Sequence, residues 1–313
     1  MSDLSSPLSM LYLKLIGGVL LGWSLGRILP PSVPTRLGRF LFWIGVPLSI
    51  VAFLRKADLS GAVWLAPAIA WVAIGLGAVL ARLWMKMKAR SRPLDPLVRE
   101  RPFQGSFLLT AMLGNTGYLG YPVVLSLVGE KYFAWALFYD LLGSLFGAYG
   151  LGAVVAARLG RRAELSASWF RPLIENPALW SFFFGLGFRE VSLPSLAERI
   201  FHSIAWGTVA LALVLMGMRL SQIRSWQNWQ PASVSLAIKM LLVPFAIGIF
   251  LPLFGVRGSP QLVLVLQMAM PPAFATLILA EAYDLDCELT VTSLFLGSTG
   301  LLLTLPLWVA LFQ

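Results

Sequence analysis

Two clusters of small and polar residues interrupt otherwise apolar stretches, and their residue types suit recognition better than covalent chemistry. The first is GNTGYLGYPVVL (114–125), which holds Asn115, Thr116, Gly120 and Pro122. The second is LQMAMPPAFATL (266–277), which holds Gln267, Pro271, Pro272 and Thr276. A proline inside a helix removes an N–H and clashes with the carbonyl four residues back, at about 3 kcal/mol. A glycine there adds about 1 kcal/mol relative to alanine. In hydrocarbon the freed N–H and C=O groups cannot turn to water, so such backbone persists only where it is buried in protein or lines a wet cavity. The half-helices that begin at such a break present N–H groups and a positive dipole end, which suit a carboxylate or another anion. Small residues also allow close helix packing. For isolated prolines such as Pro47 and Pro244 a simple kink is the better reading.

The other polar residues are few. Asp140, in YDLLGS, is the acid expected at membrane depth. It is either a proton or cation coupling site or a structural partner for Lys239. Asn176 follows Glu175 and joins the candidate site, and Ser298 and Thr299 are expected to line a cavity. Glu281, Asp284, Asp286 and Glu288 read as a solvated turn, and His202 as an interfacial residue. One His and one Cys (Cys287) exclude a disulfide framework and offer no Cys/His metal cluster. No metal or cofactor is expected, and the lack of a P-loop leaves no direct use of ATP. An intramembrane enzyme would need a nucleophile–base set that the sequence does not display.

These residues must be held by membrane helices. The chain has 313 residues, of which 58% are hydrophobic and 12% charged, against about 25% charged in a soluble domain. Ten apolar stretches, each about long enough to cross a bilayer, are expected at 7–29, 38–56, 62–85, 103–128, 132–157, 173–189, 203–220, 232–255, 260–283 and 288–312. The first lacks a basic leader and a small-residue cleavage site, so it reads as a retained helix. The net charge of +10 lies in the connections, with no folded basic domain for nucleic acid. With the N-terminus outside, sixteen Lys and Arg fall in connections on the inner side, including Arg27, Arg36, Arg39, Arg92, Arg158 and Arg224. Six fall on the outer side: Arg55, Lys56, Lys131, Arg189, Arg199 and Arg257. Both termini are therefore expected outside, in a plasma or bacterial inner membrane.

The chain also reads as two copies of one plan. WIGVPLSIVAFLRK (43–56) lies over WGTVALALVLMGMR (206–219) at a constant offset of 163. A five-helix unit has an odd number of spans, so its second copy would sit inverted, as in many secondary transporters. The expected architecture is an all-α membrane protein of ten helices: a first repeat at 1–158, a short basic connection at 159–171 and a second repeat at 172–313. The interrupted fourth and ninth spans then occupy corresponding positions, the best sequence pointer to a midplane binding site.

At this point the chain resembles the auxin efflux carriers, the plant PIN-FORMED proteins and their bacterial relatives. Asn115-Thr116 with Gly120-Tyr121-Pro122 resembles their N-T-x-x-x-G-x-P stretch, and Asn176-Pro177 their N-P motif. Gln267-x-Ala269-x-Pro271 resembles Q-x-A-x-P, followed by Ala280-x-x-Tyr283, and Thr304-Leu305-Pro306 resembles the closing segment. The resemblance implies two inverted five-helix repeats, with spans 1, 2, 6 and 7 as a scaffold that forms a homodimer. Spans 3–5 and 8–10 would be a transport domain in which broken helices 4 and 9 cross. It further implies a small organic anion bound near the crossing and moved by an elevator-like displacement. Thr276 stands where the plant carriers have a second crossover proline, and their long cytoplasmic loop has no counterpart. Auxin itself is therefore not carried over. A sodium- or proton-coupled carrier of similar crossed-helix architecture is the alternative.

Overall fold

The computed structural model describes residues 5–91, 99–162, 171–222 and 228–313. Most of the basic connection expected at 159–171, together with Arg92 and Arg224, lies outside the described residues. The described backbone is helical, and its one β-bridge is isolated, outside any named strand. The helices are α1 (Ser5–Ile28), α2 (Ser32–Leu54), α3 (Leu65–Ser91) and α4 (Arg101–Met112). Then come α5, a π turn at Thr116–Gly120 running into Tyr121–Leu127, α6 (Glu130–Leu159), α7 (Pro177–Phe188) and α8 (Ser195–Ser221). The last four are α9 (Trp229–Phe254), α10 (Ser259–Met268), α11 (Phe274–Tyr283) and α12 (Cys287–Phe312).

Among the described residues six helices are long and apolar enough to cross a membrane: α2, α3, α6, α8, α9 and α12. They coincide with the second, third, fifth, seventh, eighth and tenth expected spans. Shorter apolar helices lie in the first, sixth and ninth expected spans, at Ile16–Ile28, Pro177–Phe188, Ser259–Met268 and Phe274–Tyr283, and the helical structure of the fourth and ninth is divided in two.

The chain forms two compact units that interleave along the sequence. The first contains residues 1–63, 117–137 and 174–223. Here α1 runs along α8, and glycine makes the close approach possible. A Cβ on Gly22 would strike the Val214 carbonyl, and one on Gly217 would strike the Val19 carbonyl. Small residues at membrane helix interfaces let backbones meet in this way. Helix α2 packs on α7 and α8, with Leu41, Ala212 and Leu215 fully buried and Leu37 and Tyr118 against them. Polar groups gather at one end of this unit. Arg55 donates to the Phe188 carbonyl at 2.7 Å and pairs with Glu198 at 3.1 Å. His202, expected as an interfacial residue, lies with Nε2 2.6 Å from Glu130 Oε1, and Trp206 Nε1 donates to the same oxygen at 3.0 Å.

The second unit contains residues 64–116, 138–173 and 224–313. In it α3 packs on α4 and on the Asp140–Ser144 π turn of α6, while α12 packs on α4, α9, α10 and α11. The acidic turn before α12 is more than a solvated loop. Asp286 Oδ1 accepts from Leu289 N at 2.8 Å and so caps α12, as Asp does at helix starts, and Ser106 donates to the Asp286 carbonyl at 2.8 Å.

Candidate substrate site in the second unit

The start of the first polar cluster, Gly114–Thr116, meets the second cluster in the second unit. Helix α4 ends at Met112, Leu113 turns extended (φ −106°, ψ 122°), and helical structure resumes at Thr116. Helix α10 ends at Met268 and α11 begins at Phe274, after an extended Ala273 (φ −75°, ψ 147°). The two non-helical stretches pair antiparallel at Gly114 and Pro272. Asn115 N donates to the Pro271 carbonyl at 2.7 Å, and Ala273 N donates to the Leu113 carbonyl at 3.1 Å. Each break thus supplies the hydrogen bonds that the other has lost, as buried backbone groups require. Gly114 and Pro272 stand at the position between these two bonds, where an antiparallel pair asks no donor of either residue. A proline, which has no N–H, fits there without loss.

Glycine at position 114 has a steric reason. A Cβ there would lie 3.1 Å from Cε and Nζ of Lys239 and 3.3 Å from the Met270 carbonyl oxygen. The bridge is sealed from the other side by α12, where a Cβ on Gly297 would lie 2.9 Å from Pro271 Cβ and 3.0 Å from Pro272 Cδ.

On the segments that flank the bridge and on α12, several buried polar atoms have no hydrogen-bond partner among the described residues. Asn115 is 4% exposed and its Nδ2 makes no hydrogen bond; Gln267 is fully buried and neither Nε2 nor Oε1 makes one. Ser293 Oγ and Ser298 Oγ, both on α12, are also buried and unpaired. A buried amide without a hydrogen bond costs about 1–3 kcal/mol. Thr116 is buried and donates to Asp140 Oδ1 from its hydroxyl. Thr276, in the first turn of α11, donates to the Ala273 carbonyl at 2.7 Å.

Several residues stand apart from this group. Pro122 lies in the first turn of the α-helical part of α5, beyond the break, and in the first unit it lines an apolar pocket with Val46, Phe53 and Thr208. Gly120, next to it, ends the π turn of α5. The interruption therefore falls at Leu113–Asn115, not at Pro122. Asn176 belongs to the first unit, where its side chain accepts from Ala178 N at 2.9 Å and caps α7. Thr299 is exposed and its hydroxyl donates to the Phe295 carbonyl at 3.0 Å.

Lys239 is the residue that sequence reasoning left out of the site. It is 3% exposed, sits in a π turn of α9 (Ile238–Leu242), and donates from Nζ to the Met268 carbonyl at 2.5 Å. Thr116 donates to Asp140 Oδ1, and Lys239 donates to the end of α10. The signal that could have found it was a lysine in the middle of an apolar span, which is costly and marks function by default.

A helical chain with six long apolar spans and two paired interruptions lined by unpartnered amides has the features of a membrane-embedded carrier. A family described as "Membrane transport protein" matches residues 7–309. An uncharacterized transporter of Methanothermobacter thermautotrophicus is 29% identical over 314 residues, covering 98% of this chain and 98% of its own. A second uncharacterized transporter, from Methanocaldococcus jannaschii, is 32% identical over 212 residues, covering 65% of this chain and 67% of its own. The chain belongs to this membrane transport family, that of the auxin efflux carriers and their relatives, and is an integral membrane protein.

Proposed function

We propose that the protein is a secondary-type carrier of small organic anions, such as carboxylates, with the substrate bound at the pairing of the two interruptions. The observation that carries this reading is the pair of buried, unpartnered amides, Asn115 and Gln267, beside the Gly114–Pro272 bridge. Amide N–H groups and the first turn of α11 are donors suited to a carboxylate. In this reading the segments α4–α5 and α10–α11 are the broken fourth and ninth helices of two inverted five-helix repeats. The elevator-like displacement that the family resemblance implies would then carry the second unit, which holds the bridge. Uptake of a panel of carboxylates into proteoliposomes, under imposed sodium and proton gradients, tests the reading. Accumulation of at least one carboxylate that wild type moves and Asn115→Ala does not supports it. A protein that binds none of them, or binds only neutral or cationic solutes, overturns it.

A further inference from the structure

The end of a broken helix leaves main-chain carbonyls without helical partners, and in sodium-coupled carriers such carbonyls hold the coupling cation. Here the carbonyls at the end of α10 already face a positive charge. Lys239 Nζ donates to the Met268 oxygen at 2.5 Å. A Cβ on Gly114 would meet both Lys239 Nζ, at 3.1 Å, and the Met270 oxygen, at 3.3 Å, so ammonium and second carbonyl lie against the same residue. The lysine reaches this place from a π turn, Ile238–Leu242, and such turns are frequent at functional sites. An ammonium is a compact point charge with three donors. Its bond goes to a main-chain carbonyl rather than to a carboxylate, which is what an alkali cation at a helix end would also do.

We infer that Lys239 is a tethered cation, its ammonium filling the position at the end of α10 that a bound sodium ion would otherwise occupy, so that the carrier holds its two paired breaks together without sodium. The inference rests on the site proposed above, but concerns its cation rather than its anion. No ion then has to bind before α10 and α11 can hold their places around the bridge. A Cβ on Gly114 would also crowd the ammonium, at 3.1 Å.

The test is a melting experiment on the purified full chain without any organic anion, in sodium chloride and in choline chloride at equal ionic strength. Wild type is expected to melt at the same temperature in both salts. Lys239→Ala, which opens a hole lined by the Met268 and Met270 carbonyls, is expected to melt several degrees lower in choline and to recover part of that loss as sodium is added. Lys239→Arg keeps a charge there and should remain indifferent to sodium. A wild type stabilised by sodium overturns the inference, and so does a Lys239→Ala protein equally weakened in both salts. Should Lys239→Ala not fold, the wild-type comparison and Lys239→Arg decide the matter. Because no carboxylate is present, failure of the anion reading leaves these outcomes unchanged.

Discussion

Asn115 Nδ2 has no partner inside the protein, so deleting it strands no other group. Asn115→Ala should leave melting nearly unchanged. A hydrogen bond to a charged ligand contributes about 1.5–3 kcal/mol, so binding of the transported anion should weaken by roughly ten- to a hundredfold. Isothermal titration and melting on the same preparation separate the two effects. Wild-type affinity in Asn115→Ala would remove the amide from the site. At this scale the sequence was informative about neutral polar groups, because Asn115 and Gln267 stood out against apolar runs. It was less informative about which polar groups serve structure. Asn176 is a helix cap, and the same amide type in the same kind of motif does a different job because of where its helix starts. Lys239 carries no motif, and its importance comes from the carbonyls that the fold places around it.

At the scale of elements, the interruptions were legible from Gly and Pro, but their exact placement was not. Proline disfavours helix at the residue before it, which pointed to Pro122. Yet the chain is already helical from Thr116, in a π turn that precedes the first α turn holding Pro122. The break at Leu113–Asn115 is fixed instead by its bonds to Pro271 and Ala273, which lie far away in sequence and leave no local trace. Pro122→Ala should therefore leave anion affinity unchanged while Asn115→Ala loses it. A Pro122→Ala protein without affinity would return control of the break to the proline. Packing between helices gives a second comparison. In Gly217→Ala the new methyl meets the backbone of Val19 and Trp23, whereas in Gly207→Ala it meets nothing within 4 Å. Forcing a methylene into a filled interface costs about 1–3 kcal/mol, so Gly217→Ala should lower the melting temperature by several degrees. Gly207→Ala should hold or raise it, since alanine favours helix. Equal melting of the two variants would contradict the close approach of α1 and α8.

Over the whole molecule, the helical membrane class and most long spans follow from apolar length alone, because a bilayer forces every backbone group into helix. The grouping of those spans into two units that interleave along the chain does not follow from length, since it depends on which faces meet. Charge supplies what packing does not: the direction of insertion. Basic side chains near helix ends lie over tryptophan rings, Arg27 over Trp23 at 3.7 Å and Lys88 over Trp84 at 5.2 Å. Lys and Arg in short connections are retained on the inner side during insertion. From sixteen such residues against six we propose that both ends face outward, provided the number of crossings is even. The interrupted pairs α4–α5 and α10–α11 must each count as one crossing for this to hold; if only one pair crossed, the sides of the later connections would be exchanged. A reporter fused at Gln313 should thus be active only when placed outside. A reporter active only in the cytoplasm would show that one interrupted pair enters and leaves on the same side, and would remove the inverted repeat along with the orientation.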